Sequence, residues 1–225
     1  MDELPRFTMI GDIVGSRKVE SRVDLQSSLR STLLRLCCLP SFEMKLTQPL
    51  ETTVGDEFQG VFRDLASAVG ATILIRLELL KETGVDSRYG LGFGPVSVFD
   101  EQSSPVSQDG PGWWSARRAI EEVQGHAEMP QSSFTRTRFR VEPGVTEIGG
   151  GEEAAMNSFL TMRDATVDEM KPRARRILLG YLQGESQSRI AADEGVSQSN
   201  VSQTLGRSGA HAIKLAQDKL DWRDR

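Results

Sequence analysis

The sequence predicts a mixed α/β (α+β) body followed by an all-α tail. Three observations carry this. The first part of the chain reads β-α-β-β-α-β-α-β, an order that implies a mixed sheet with helices packed on it. The run Gly149-Gly150-Gly151-Glu152-Glu153 is polar and glycine-rich, as a linker is. Beyond it only helical periodicity remains. The expected division is therefore a body at 1–148, a linker at 149–153 and a helical domain at 154–225.

Each element has its own signal. Phe7–Asp12 is an apolar run ending in an acid and reads as a buried strand, with Gly15 and Ser16 opening a turn that continues into Arg17 and Lys18. Asp24–Leu39 carries Leu25, Leu29, Leu33, Leu34 and Cys37 at helical spacing, and Pro40 stops it. Phe42–Val54 is extended, with a break at Pro49. Val54-Gly55-Asp56-Glu57-Phe58 reads as a tight hairpin returning through Phe58–Phe62. Asp64–Lys81 is a helix that Gly84 ends. Arg88–Val98 (RYGLGFGPVSV) is a glycine-dotted strand region, and 101–112 a polar loop. Trp113–Val123 is the next helix. Phe134–Val141 alternates as an edge strand, with Arg136, Arg138 and Arg140 on one solvated face. In the tail, Ala154–Met162, Lys171–Leu182, Gln187–Asp193, Ser199–Gly206 and Ala210–Leu220 read as helices.

Composition narrows the function classes. No apolar run approaches the roughly 20 residues that span a bilayer, so no membrane partner is expected. The start MDELPRFT lacks an apolar h-region, so no signal peptide is expected either. Adjacent Cys37 and Cys38 cannot pair with any other cysteine, which points to a reducing compartment and a cytoplasmic protein. With only His126 and His211, a histidine-rich metal site is excluded; a metal would sit on carboxylates, which favours Mg²⁺ or Mn²⁺. Charge is uneven. From Lys171 to Arg225 there are ten Lys/Arg against six Asp/Glu, a net of +4, against −5 for the whole chain. A basic tail on an acidic body suits nucleic-acid contact.

The tail holds the more specific motif. SRIAADEGVSQSNVSQTL has a helix-turn-helix layout: Ile190 and Ala191 at the helix crossing, Gly195 for a left-handed turn, Val196 as core plug and Ser197 as cap. Val201 and Leu205, at i and i+4, face inward. Gln198, Ser199, Asn200, Ser202, Gln203 and Arg207 then face out, with side chains suited to base edges and phosphates of double-stranded DNA.

The body holds the second candidate site. Asp12 and Asp56 are expected to meet and to hold a divalent cation that bridges phosphates. Gly15, Ser16, Arg17, Lys18 and Gly55 would let a phosphate chain approach and would balance its charge.

These residues carry a resemblance. FTMIGDIVGSRK looks like the first strand of class III nucleotidyl cyclases. VGDEFQGVF looks like their Gly-Asp hairpin and like that of GGDEF diguanylate cyclases. RYGLGFGPVSV is similar to the cyclase strand with its glycine pair, and GPGWWSARR lines up with the helix that carries a transition-state Asn and Arg. Nearly the whole chain most closely resembles the SatD family, which joins a cyclase-like part to a helix-turn-helix. The resemblance implies a palm-like sheet, a metal held by Asp12, the Ile13 carbonyl and Asp56, and a purine nucleotide contacted by Gly15 to Lys18, Gly55 and Arg118. Trp114 stands where the cyclase asparagine would be, which implies binding without turnover. The resulting expectation is a homodimeric transcription regulator on a palindromic operator, with a Mg²⁺ (or Mn²⁺) purine nucleotide as effector. The alternative is an active cyclase or nucleotidyltransferase using ATP or GTP, with a DNA-targeting tail.

Overall fold

A computed structural model describes residues 4–16, 19, 21–39, 46–53, 55–100, 102–103 and 105–220. Arg17 and Lys18 of the expected phosphate-side turn lie outside the described residues. So do Pro40, Phe42 and Val54 at the limits of the second expected strand.

Five strands form one mixed sheet: β1 (Pro5–Ile13), β2 (Leu46–Thr52), β3 (Phe58–Phe62), β4 (Ser87–Pro95) and β7 (Thr137–Val141), in the order β2-β3-β1-β4-β7. β1 runs antiparallel to β3 and β4, whereas β4 and β7 are parallel. A short ribbon of β5 (Ser97–Asp100) and β6 (Ser107–Asp109) stands apart. Three helices belong to the body: α1 (Arg22–Cys37), α2 (Leu65–Glu82) and α3 (Pro111–Ala127). Five more follow: α4 (Gly150–Glu169), α5 (Pro172–Leu182), α6 (Gln187–Glu194), α7 (Gln198–Arg207) and α8 (Ala210–Leu220). No helix among the described residues is long and apolar enough to cross a membrane.

The two faces of the sheet bury different things. Ile10 and Val61 pack under α3 with Trp113, Ala116 and Ile120. Met9, Ile13, Phe58 and Phe62 face the other way, toward α1 and α2. α1 begins at Ser21, whose hydroxyl accepts from the Asp24 N–H. It buries Leu25, Leu29, Leu33 and Leu36, while Leu34, expected inside, is exposed. α2 is capped by Asp64, which accepts from the Ser67 N–H at 2.7 Å. It is buried almost all round, because the sheet covers one side and C-terminal helices cover the other.

α3 lies directly on β4. Alternation puts Gly90, Gly92 and Gly94 on the face beneath it. A Cβ on Gly90 would come within 2.5 Å of the Ile120 amide nitrogen. A Cβ on Gly92 would come within 2.5 Å of the Ala116 nitrogen. The dotted glycines are thus the contact surface of a helix.

The flexible linker expected at 149–153 is replaced by helix. Gly149 is an N-cap, and its N–H donates to Glu152 Oε2 at 2.9 Å as α4 begins. α4 then runs along the exposed edge of β7 and satisfies its backbone. Val141 N–H donates to Glu153 Oε2 (3.0 Å) and Arg136 N–H to Asp164 Oδ2 (2.8 Å). Asn157 accepts from the Phe139 N–H (2.9 Å) and donates to its carbonyl (2.8 Å). Covering a sheet edge this way removes a row of unpaired polar groups. The solvated face expected for Arg136, Arg138 and Arg140 does not form. Arg136 binds Asp86, and Arg140 bridges Glu122 of α3 and Glu153 of α4.

The tail is also not held apart from the body. One apolar cluster runs from Met9 and Phe58 through Leu160 and Val167 to Ile177, Val201 and Ile213. Gln183 after α5 donates to Glu78 of α2 at 2.9 Å, and Gln217 of α8 to the Ala66 carbonyl at 2.7 Å. The helices continue the core of the body and do not enclose a second one.

Candidate functional site

Asp12 is the penultimate residue of β1 and shares a face with Thr8 and Ile10, the face under α3. Thr8 marks it by donating to the Gly112 carbonyl at 2.8 Å. Because Gly11 pairs with Phe58, the β2–β3 turn lies beyond the end of β1. Gly55 adopts φ +71° there, a conformation that costs glycine little. Gln26 of α1 anchors the turn by donating to the Gly55 carbonyl at 3.0 Å.

Asp12 and Asp56 line one open cleft of about 530 Å³, together with Ile13, Gly15, Ser16, Arg88, Gln124 and Glu128. Arg118 does not join them. Its Nη2 donates to Glu142 Oε2 (2.6 Å) and to Ser115 Oγ (2.9 Å). Neighbouring helix residues point about 100° apart, and it is Arg117 that turns toward the hairpin. Arg117 forms a two-fold pair with Glu57, at 2.7 and 2.8 Å. The Glu57 hydrogen bonds hold the Arg117 guanidinium above its ordinary value, and the charge of Asp12 adds to this. Trp113 is buried, whereas Trp114 is half exposed and donates from Nε1 to Asp109 at 2.8 Å.

Arg88, which sequence reasoning missed, is the side chain that defines Asp12. It sits directly opposite on β4. Its Nε donates to Asp12 Oδ1 at 2.9 Å and its Nη2 to Oδ2 at 2.8 Å, while Gln124 Nε2 donates to Oδ2 at 3.2 Å. A signal was available: Arg88 shares the alternating face of Gly90, Gly92 and Gly94. It is the first position on that face with a side chain, so it must project past the helix that covers the glycines.

This bears on the expected metal at Asp12, Ile13 and Asp56. Both Asp12 oxygens already accept guanidinium N–H groups. Among the described residues no group of three or more His, Cys, Asp or Glu could hold a metal ion. The residues as placed do not fit a resident divalent cation on Asp12. Among the described residues, three carboxylates (Asp12, Asp56, Glu128) line the cleft against one guanidinium.

The second candidate surface is on α6 and α7. Ser186 caps α6, which ends at Gly195 in the left-handed conformation (φ 63°, ψ 38°). Ser197 then caps α7 by accepting from the Asn200 N–H. Val201 and Leu205 are fully buried. Gln198, Ser199, Asn200, Ser202, Gln203 and Arg207 are all exposed. Asn200, Gln203 and Arg207 share an open cleft of about 640 Å³ with Lys171 and Arg173 from the start of α5. Arg176, Arg189 and Lys214 are neutralised by Glu194, Asp193 and Asp218. Lys171, Arg173 and Arg207 make no ion pair with another described residue. Lys171 and Arg173 are further residues that sequence reasoning left out. Only the turn from α4 into α5 brings them beside α7.

Several solved structures are similar to part of this chain. The guanylate cyclase domain of RhGC from Catenaria anguillulae, in complex with GTP, matches at 22% identity with a TM-score of 0.41, over 53% of this chain and 73% of its own. The dimeric guanylyl cyclase domain of the RhoGC fusion protein from Blastocladiella emersonii matches at 20% identity and TM-score 0.40, over 52% and 73%. A bacterial light-regulated adenylyl cyclase matches at 17% identity and TM-score 0.44, over 60% of this chain and 43% of its own. No curated protein sequence matches the chain. The family comparison covers far more: the model of the SatD family matches residues 6–217. The chain therefore belongs to the SatD family.

Proposed function

We propose that this chain is a DNA-binding transcription regulator whose cyclase-like body takes a purine nucleotide as effector. The reading rests first on the α7 face. There the exposed amides of Asn200 and Gln203 share one cleft with three cations and one acid, Glu169, and none of the three cations is in an ion pair with a described residue. Amides suit base edges and unpaired cations suit phosphates. In this reading α6 and α7 form a helix-turn-helix with α7 as the reading helix. A homodimer would then place two such helices about 34 Å apart on a palindromic operator. Exposed Val98, Phe99 and Trp114 around the β5–β6 ribbon offer apolar surface for pairing. Free thiols at Cys37 and Cys38 suit a cytoplasmic setting.

The effector would occupy the Asp12–Asp56 cleft as its Mg²⁺ complex, and Asp56 would be a carboxylate available to the cation that the nucleotide brings. Turnover is not part of the reading. Arg118 is spent on Glu142, and Trp114 is engaged with Asp109.

Two measurements test this. Fluorescence anisotropy with a duplex of roughly 30 base pairs should show binding at low salt that falls as salt rises, by about one unit of log–log slope per phosphate contact. Lys171→Ala/Arg207→Ala should weaken binding at least about tenfold and lower the slope by about two. An unchanged slope, or no wild-type binding at low salt, removes the DNA reading. Separately, Mg²⁺-GTP or Mg²⁺-ATP should raise the Tm of the wild type and change its DNA affinity, and Asp56→Ala should lose both effects. If neither nucleotide moves either quantity, the effector reading is wrong.

A further inference from the structure

We infer that Arg88 takes the place of a divalent cation at Asp12. It neutralises this carboxylate permanently and closes it to metal.

Four observations carry this. Asp12 and Arg88 are direct cross-strand neighbours, so strand register keeps the two side chains within reach of each other. The contact is two-fold, at 2.9 and 2.8 Å, the fork geometry in which arginine holds a carboxylate most strongly. Both side chains are mostly buried, at 19% and 16% exposure, so water screens the pair only weakly. Gln124 adds a third donor from α3. The flanking backbone is pinned as well. Val14 N–H donates to the Asp86 carbonyl at 2.8 Å, and Tyr89 N–H to the Arg136 carbonyl at 2.7 Å. These bonds fix the strand backbone on either side of the pair.

A hard cation needs the oxygen lone pairs that these N–H groups already occupy. A metal at Asp12 would have to displace a charge-assisted, two-fold pair and leave Arg88 half buried without its partner. The guanidinium delivers what the ion would deliver to Asp12, a neutralising positive charge. It delivers it without solvent exchange and without dependence on metal supply. The consequence for the cleft is that Asp12 is a positioning residue for Arg88, and Asp56 and Glu128 are the lining acids left to meet a ligand. This inference concerns the same cleft as the nucleotide reading but does not need a nucleotide to bind there, and its test uses metal alone.

The test is Mn²⁺ binding to the full chain, followed by the electron paramagnetic resonance of free Mn²⁺. Asp12→Asn keeps the shape of the side chain and should leave the wild-type Mn²⁺ affinity unchanged. Arg88→Met should expose Asp12 and tighten Mn²⁺ binding by roughly tenfold or more, the scale on which groups around a ligand act. Asp12→Asn/Arg88→Met should lose that gain. The inference is overturned if Asp12→Asn alone weakens Mn²⁺ binding, or if a folded Arg88→Met binds Mn²⁺ no better than the wild type. Should Arg88→Met not fold, Arg88→Gln serves in its place, and the Asp12→Asn arm decides by itself.

Discussion

Asp164→Ala is expected to cost the fold about 3–5 kcal/mol, the range seen when one partner of a buried ion pair is removed. Asp164 is 1% exposed and lies where α4, α2 and β7 meet. Its Oδ1 accepts from Arg163 at 3.2 and 2.9 Å, and its Oδ2 accepts from the Arg136 N–H at 2.8 Å. Arg163, itself 3% exposed, spends its other N–H groups on Val69 O, Thr72 Oγ1 and Thr137 Oγ1. Without Asp164, a buried guanidinium keeps neutral partners but no counter-charge, and an edge N–H loses its acceptor. Arg76, whose Nη1 is 3.9 Å from Asp164, loses one of three nearby acids and is left with Asp86 (2.8 Å) and the more exposed Asp168 (3.7 Å). Burial would raise the pKa of Asp86, but Arg76 and Arg136 together hold it below the usual carboxylate value. Asp86 therefore stays charged at neutral pH and remains the counter-charge of Arg76 and Arg136, but it does not reach Arg163. Urea unfolding checks the cost: the midpoint should fall with the m-value unchanged. Asp164→Asn, which keeps an acceptor but not the charge, should fall between the two. A loss under about 1 kcal/mol for Asp164→Ala would show that the network stabilises little and that the helices are held mainly by apolar burial.

The second large effect concerns the glycine face. Gly90→Ala should destabilise by about 3 kcal/mol or prevent folding, at the upper end of overpacking costs. The added methyl would fall inside contact distance of the Ala116 carbonyl and 2.5 Å from the Ile120 nitrogen. Both are backbone atoms, so no rotamer change relieves the clash and α3 itself must lift. α3 also carries Gln124, which lines the Asp12 cleft, so ligand response should fall along with stability. Gly125→Ala in the same helix is the control. Nothing lies within 4 Å of its added Cβ, so it should be neutral or stabilise by up to about 1 kcal/mol through helix propensity. Comparable Tm losses for the two variants would mean that α3 tolerates displacement and that the close approach is not needed.

Both effects depend on distant parts of the chain meeting, and that is where the sequence stopped being informative. Helix α7 was legible because its signals are local: Gly195 for the turn, Ser197 for the cap, and Val201 with Leu205 one turn apart. The strand end at Asp12 and the turn at Asp56, which line one cleft, were legible for a similar reason, since an apolar strand ending in an acid and a Gly-Asp hairpin each announce themselves within a few residues. Arg118 was chosen over Arg117 from the resemblance, as the arginine four residues after Trp114, and a motif match does not set helix phase. The phase came from Trp113, Ala116 and Ile120 packing on Ile10 and Val61. Gly149–Gly151 read as a linker because glycine is flexible in isolation. Glu153, Asn157 and Asp164 then gave the helix that follows a β-edge to bind.

The sequence by itself determined the elements, the acid-bearing strand and hairpin, and the amide face of α7, because each depends on contacts between near neighbours along the chain. Only the tertiary structure decided three further things: that Asp12 belongs to Arg88, that Lys171 and Arg173 join α7, and that the C-terminal helices share the body's core. Each is a pairing across many residues, set by strand register and helix docking. No local pattern encodes such a partner; it exists only once the sheet and its two covering layers have closed.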